Sequence, residues 1–214
     1  MSNRPTYAEP RWPVLLALAA VVALHFALPQ ILSLGPNWLL VALYFVLATA
    51  VSIFHRRGEE KIAYVGGLIL ISCVTAALVA SLVLLIHFLP ARKQAPLQLL
   101  QSAVSLWISN VLVFAAWYWK LDAGGPYERE KVKSHDVGAF LFPQMALDAE
   151  SPTKPSNWHP RFIDYLFLSF NTSTALSPTD TPVLSRWAKA LMILQSLISL
   201  TIIVLLTARA VNIL

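Results

Sequence analysis

Residues 62–91 read IAYVGGLILISCVTAALVASLVLLIHFLPA, thirty positions without one Asp, Glu, Lys or Arg. A helix rising about 1.5 Å per residue needs roughly 20 apolar positions to cross the ~30 Å hydrocarbon layer of a bilayer. An open strand or loop would leave backbone N–H and C=O groups unpaired in lipid, so the run is expected to be helical. A soluble core helix would need a polar stripe, and this stretch has no charged residue from which to build one. The same gap recurs along the chain. No acidic or basic residue occurs between Arg11 and Arg56, between Lys93 and Lys120, or between Lys189 and Arg209.

The composition agrees. Hydrophobic residues make up 57% of the chain and charged residues 13%, about half the ~25% usual in soluble domains. The formal charge of +5 sits mostly in connecting segments, where anionic lipid headgroups are a sufficient partner. The basic residues are scattered and belong to no nucleic-acid motif, so no nucleic-acid partner is expected. Cys73 is the only cysteine, which excludes an intrachain disulfide and a cysteine metal cluster. No nucleophile–base–acid set, phosphate loop or metal-spaced ligand group occurs, so neither an enzyme nor a cofactor is expected. Arg4 and Arg11 precede an apolar stretch in the manner of a signal peptide. That stretch is long for such a segment and has no small-x-small site before Pro29, so it is expected as a retained helix.

The expected fold is an all-α polytopic membrane protein with about five transmembrane helices and one short re-entrant helix. The spans are placed at 13–30, 38–54, 62–89, 97–119 and 184–214. Gly35 and Pro36 break the first from the second, and a charged connection at 55–61 separates the second from the third. Trp117, Tyr118, Trp119 and Lys120 look like an aromatic interfacial belt with a snorkelling lysine. The loop at 120–160 is long enough to suggest function or disorder. Within it, 140–143 (Phe-Leu-Phe-Pro) either lies at the membrane surface or makes a local packing contact. Two regions result: a three-helix region at 1–96 and a module at 97–214.

The distinguishing stretch lies at 162–180, FIDYLFLSFNTSTALSPTD. Its apolar half is too short to span a bilayer, a polar Asn/Thr/Ser run follows, and Pro178 forces a break. A short helix, a polar turn and then a long helix form the pattern of a re-entrant element. Such backbone is tolerated at membrane depth only inside protein or beside a water-filled cavity.

Here the chain resembles the pore module of tetrameric potassium channels, with outer helix 97–119, pore-type helix and turn 161–181, and inner helix 184–214. Asp164, Leu166, Ser169, Phe170, Thr172, Thr174 and Asp180 fall where that family's pattern D-x-L-x-x-S-F-x-T-x-T-T-V-G-Y-G-D has the same residues. On the inner helix, Gln195 stands at a common Glu position. The resemblance implies a homo-oligomer, a tetramer, handling monovalent cations in a bacterial cytoplasmic membrane. The filter departs from the family. Ser177-Pro178-Thr179 replaces Gly-Tyr-Gly, Ala175 replaces the second threonine, and Leu176 takes the valine position. All seven glycines lie at or before Gly138. A potassium filter aims a ring of backbone carbonyls at a dehydrated ion, and its glycines reach angles that residues with a Cβ adopt poorly. The implied protein is therefore a channel-like one without potassium selectivity, either non-selective or non-conducting. The alternative is a membrane scaffold or accessory subunit that uses the pore fold for assembly alone.

The candidate pore residues are Thr172, Thr174, Ala175, Leu176, Ser177, Pro178, Thr179 and Asp180, with Gln195 and Ser199 on the inner helix. Two readings of this run stand open. Its hydroxyls could line an aqueous vestibule with Asp180 as a ring of charge, or Thr179 or Asp180 could cap the last helix while the hydroxyls satisfy buried backbone. His25 and His87 suit either haem ligation or, more commonly, a hydrogen bond to a neighbouring helix. Ser102, Ser105, Ser109 and Asn110 share one face of the fourth helix, where mutual interhelical bonding is the preferred reading. Orientation is in conflict. The family's arrangement puts the long loop and the N-terminus outside. The positive-inside rule puts Arg4, Arg11, Arg56, Arg57 and Lys61 inside, against only Arg92 and Lys93 opposite.

Overall fold

A computed structural model describes residues 9–88, 96–132, 138–147, 158–174 and 181–211. The described residues are helical apart from turns and one isolated antiparallel bridge between Phe140 and Val183. In chain order the helices are α1 (Trp12–Phe26), α2 (Asn37–Arg56), α3 (Glu60–Phe88), α4 (Pro96–Leu121), α5 (Pro126–Arg129), α6 (Pro143–Ala146), α7 (Phe162–Thr174) and α8 (Arg186–Val211). Four of them, α2, α3, α4 and α8, are long and apolar enough to cross a membrane. The chain is a polytopic all-α membrane protein.

At 15 residues, α1 rises about 22 Å and is shorter than the expected first span. It stops at Phe26, ahead of Pro29, and a 3-10 turn at Gln30–Leu32 takes its place. The stop is held from across the turn. Asn37, the first residue of α2, donates its side-chain amide to the carbonyls of Phe26 (3.3 Å) and Leu28 (3.2 Å). Those are acceptors that a helix end would otherwise leave bare.

The central helix is α4, which touches α1, α3, α7 and α8, while α2 packs on α3 and α1. Lipid tails are as apolar as the side chains, so helices associate in a bilayer by close fit rather than by escape from water. Ala103, Ala115 and Ala116 on α4 are fully buried, and their small size allows the neighbouring backbones to approach. The outward faces of α2 and α8 stay apolar and exposed, as at Phe45 and Val46 and at Leu197 and Leu200. Faces of this kind suit contact with lipid or with a neighbouring apolar helix.

The short α7 enters and does not cross. The strand-like pairing places 181–184 against 139–141, with Leu141 N–H donating to Pro182 O (2.9 Å) and Leu184 N–H to Ala139 O (2.8 Å). Phe140 at this pairing also packs on Tyr165, near the start of α7, and on Trp187, near the start of α8. Both helices thus begin at one end of the bundle. The last turn of α7 lies deeper, against Gln195, Ser196 and Ser199 of α8. The described chain thus leaves α7 inside the bundle at Thr174 and resumes at Thr181 beside the end where α7 began, the relation of a re-entrant helix.

The loop after α4 folds over the same end. Phe140 and Phe142 are buried among Tyr118, Tyr165 and Trp158, so the local packing reading holds for this motif. The reversal that permits it is tight: Ala123, Gly124 and Gly125 all have positive φ. A Cβ on Gly125 would sit 2.9 Å from the Lys120 carbonyl and 3.0 Å from the Tyr64 ring. Gly125→Ala is expected to lower stability by about 1–3 kcal/mol through strain and overlap together. The unfolding midpoint in neutral detergent measures it, and an unchanged midpoint would show that the turn is not fixed by this residue.

Candidate functional site

Gln195 is the centre of the α7–α8 pair and is fully buried. Its side-chain amide donates to Ser169 O (2.8 Å), Ser169 Oγ (2.7 Å) and Ser173 Oγ (2.7 Å) on α7. Its side-chain oxygen accepts from the Tyr118 hydroxyl of α4 (2.5 Å), and its backbone oxygen accepts from the Asn110 amide (3.2 Å). Ser169 Oγ in turn donates to Val111 O (2.7 Å). One side chain thereby joins three helices. Below it, Ser199 Oγ donates to Ser173 O (2.5 Å) and accepts from Trp107 Nε1 (3.1 Å). A buried polar network of this kind is stable only when nearly every member is satisfied. The one orphan here is Asn110 Oδ1, buried without a hydrogen-bond partner.

Thr172 and Thr174 point back into their own helix. Thr172 Oγ1 donates to Leu168 O (2.8 Å) and Thr174 Oγ1 to Asn171 O (3.1 Å). Ala175, Leu176, Ser177, Pro178, Thr179 and Asp180 lie outside the described residues, and so do both readings of the Asp180 position. The helix start that the family pattern marks with aspartate is built from Asp164, whose carboxylate accepts the Arg161 N–H (2.7 Å). An acidic side chain in the first turn also suits the positive end of the helix dipole. Ser185 serves α8 in the same way, accepting from Ala188 N–H (3.3 Å).

A second buried cluster, which the sequence reading missed, covers the end where α7 and α8 begin. Arg129, 2% exposed, donates Nε (3.2 Å) and Nη2 (2.9 Å) to Glu9 Oε2. Its Nη1 donates to the carbonyls of Trp119 and Asp122 (2.8 Å each), which closes the C-terminal end of α4. The Trp119 indole N–H donates to Glu9 Oε1. Asp122 accepts from Ala139 N–H (2.6 Å) and from the Tyr165 hydroxyl (2.6 Å), which ties the loop to α7. Burial pushes the Glu9 carboxyl above its ordinary value, while Arg129 and the Trp119 hydrogen bond oppose the shift.

The belt reading of 117–120 is corrected by this cluster. Tyr118, Trp119 and Lys120 are buried in protein: Tyr118 is bonded to Gln195 of α8 and Trp119 to Glu9, while the Lys120 ammonium faces the Tyr64 ring of α3. His25 hydrogen-bonds Ser33 Oγ (3.2 Å) and Ser81 Oγ (3.4 Å), so both ring nitrogens are engaged, and His87 is exposed elsewhere. Of the α4 polar row, Asn110 reaches another helix, whereas Ser102 donates to Gln98 O within its own (2.8 Å).

Two outcomes follow for stability in detergent. Gln195→Leu removes donors and an acceptor while leaving Tyr118 and Ser173 unpaired, and is expected to cost at least about 2 kcal/mol. Glu9→Met or Arg129→Met alone strands a buried charge and is expected to cost about 3–5 kcal/mol, with the double replacement recovering most of it. A double variant as unstable as the sum of the singles would mean that the pair acts through something other than mutual compensation. Compared with known protein families, curated proteins and solved structures, the chain matches none, so the likeness to a channel pore rests on the residues quoted between Asp164 and Gln195.

Proposed function

We propose that this chain is a channel-like protein of a bacterial cytoplasmic membrane, assembling as a homotetramer around α7 and α8, with a filter changed away from potassium selectivity. The observation that carries the reading is the re-entrant pair: α7 and α8 start at one end, and α7 ends inside the bundle against Ser196 and Ser199. A pore helix and its inner helix need this relation. A helix ending at membrane depth also turns its negative dipole end towards that depth, which favours a cation there. The exposed apolar faces of α7 (Ile163, Phe167, Phe170) and α8 (Ile193, Leu197, Leu200) are available to neighbouring copies.

A second reading has its own support. The hydroxyls of Thr172, Ser173 and Ser199 are spent on helix carbonyls and on Gln195 within one chain. That is what a scaffold needs if it keeps the pore fold for assembly and passes nothing.

Size measurement of the purified complex, followed by reconstitution into planar bilayers, separates the readings. The channel reading expects a tetramer that carries both sodium and potassium with little preference. A verified tetramer silent under all voltages and cations supports the scaffold, and a stable monomer sinks both. Orientation is measurable with Cys73 replaced by Ala and a cysteine placed at the exposed Lys131. The channel orientation expects labelling by an impermeant maleimide on intact cells, whereas labelling only after permeabilisation would turn the module round.

A further inference from the structure

A cleft of about 210 Å³ lies between α1, α2, α3 and α4, at the end where α1 and α3 begin. Its chemistry changes with depth. Arg11, His55 and Arg56 stand at the mouth, while Val14, Leu18, Leu70 and Ile71 form the inner wall. Lys120 lines the cleft and is 8% exposed. Among the described residues its ammonium has no hydrogen bond and no direct ion pair; the Tyr64 ring lies 4.7 Å from Nζ to the centroid, and Arg11, Glu60 and Arg129 act on it electrostatically from farther off.

The carboxylates nearby are already committed. Glu60 is held by Arg11 (3.2 Å) and His55 (2.8 Å), and Glu9 by Arg129 and Trp119. Glu130 accepts the Glu9 N–H (3.0 Å) and lies 3.7 Å from Arg11 Nη2, which is itself buried without a hydrogen-bond acceptor. Two cationic groups therefore share one cleft with unused donors. Space is kept for one of them by Gly67, where a Cβ would come within 2.8 Å of Lys120 Nζ. A largely buried ammonium in a mostly apolar cleft is costly when Glu60, the carboxylate acting on it, is shared by Arg11 and His55, and an anion placed directly against it lowers that cost.

We propose that this cleft binds an anionic amphiphile. Its phosphate or carboxylate rests on Lys120 and Arg11 Nη2, and its acyl chain runs along Val14, Leu18, Leu70 and Ile71. A free inorganic anion would satisfy the ammonium and leave the aliphatic wall unfilled. A neutral lipid would fill the wall and leave the ammonium bare. Only a molecule carrying both parts matches both halves of the cleft. This site is independent of the α7–α8 pair and stands whether or not the protein conducts.

The full chain, delipidated in a neutral detergent, is titrated with phosphatidylglycerol, oleate, phosphatidylcholine or inorganic phosphate while the unfolding midpoint and native mass spectra are recorded. Phosphatidylglycerol or oleate is expected to raise the midpoint and to remain bound in the spectrum. Which of the two does so identifies a membrane lipid or a free fatty acid as the source. Lys120→Met is expected to weaken that binding about tenfold or more, the loss of a charge-assisted contact, and Lys120→Arg to retain it. Without ligand, Lys120→Met should be at least as stable as the parent, since it removes a largely buried charge with no direct partner. Ile71→Phe keeps the ammonium but fills the inner wall, and is expected to lose acyl ligands, which decides the matter should Lys120→Met fail to fold. Equal response to phosphatidylcholine, full response to phosphate alone, or undiminished binding by both Lys120→Met and Ile71→Phe would overturn the proposal.

Discussion

A helix that enters a bilayer and stops inside it cannot leave the carbonyls of its last turn to water. In this protein the solution is chemical and local. Ser199 supplies a hydroxyl to Ser173 O, and Gln195 supplies an amide to Ser169 and Ser173. The same glutamine is locked from behind by Tyr118 and Asn110 of α4. Each amide and hydroxyl placed there narrows what its neighbours can be. Replacing Tyr118 by phenylalanine would bare the glutamine oxygen, and replacing Ser169 by alanine would remove partners for both Gln195 and Val111 O. The position of α7 is thus written in polar atoms at a depth where unpaired polar atoms are expensive.

The arrangement also explains why α4 is the most buried of the long helices. It supports the re-entrant pair on one face and the α1–α3 group on the other, and alanines hold its centre. The two halves of the chain meet on one helix, and the loop that follows it seals the end of both. Arg129 does this by satisfying the final carbonyls of α4 while its charge is met by Glu9. Stacking of the guanidinium near the faces of Trp119 (5.8 Å) and Tyr165 (5.4 Å) adds aromatic contact to the same seal.

The spans were legible because they depend on local composition: the gaps between charged residues are the helices. Gln195 and Ser199 were legible for a related reason, since a polar group in an apolar helix must be going somewhere. What could not be read were contacts set by distant parts of the chain. Lys120 sits at a helix end beside three aromatic residues, where a lysine ordinarily reaches for headgroups. Only the packing of α4 against α3, with Tyr64 and Gly67 beside the ammonium, turns it inward. Glu9 and Arg129 drew no reading of their own, because the sequence says nothing of their being neighbours. The early end of α1 was hidden likewise, for it depends on Asn37 reaching back across a turn.

The Glu9–Arg129 pair joins positions 120 residues apart. Spans of a membrane protein enter the bilayer in order from the N-terminus, and this contact cannot form until α4 has been inserted and the Gly124–Gly125 turn has closed. Until then Glu9 carries an unmatched carboxylate beside a 15-residue helix that is short for holding itself across the membrane. The closing of a loop this long adds little entropic cost over a shorter one, because that cost grows only with the logarithm of length. Its effect is on timing. The contact at Glu9 waits on Arg129, so its presence reports that α2, α3 and α4 have found their places.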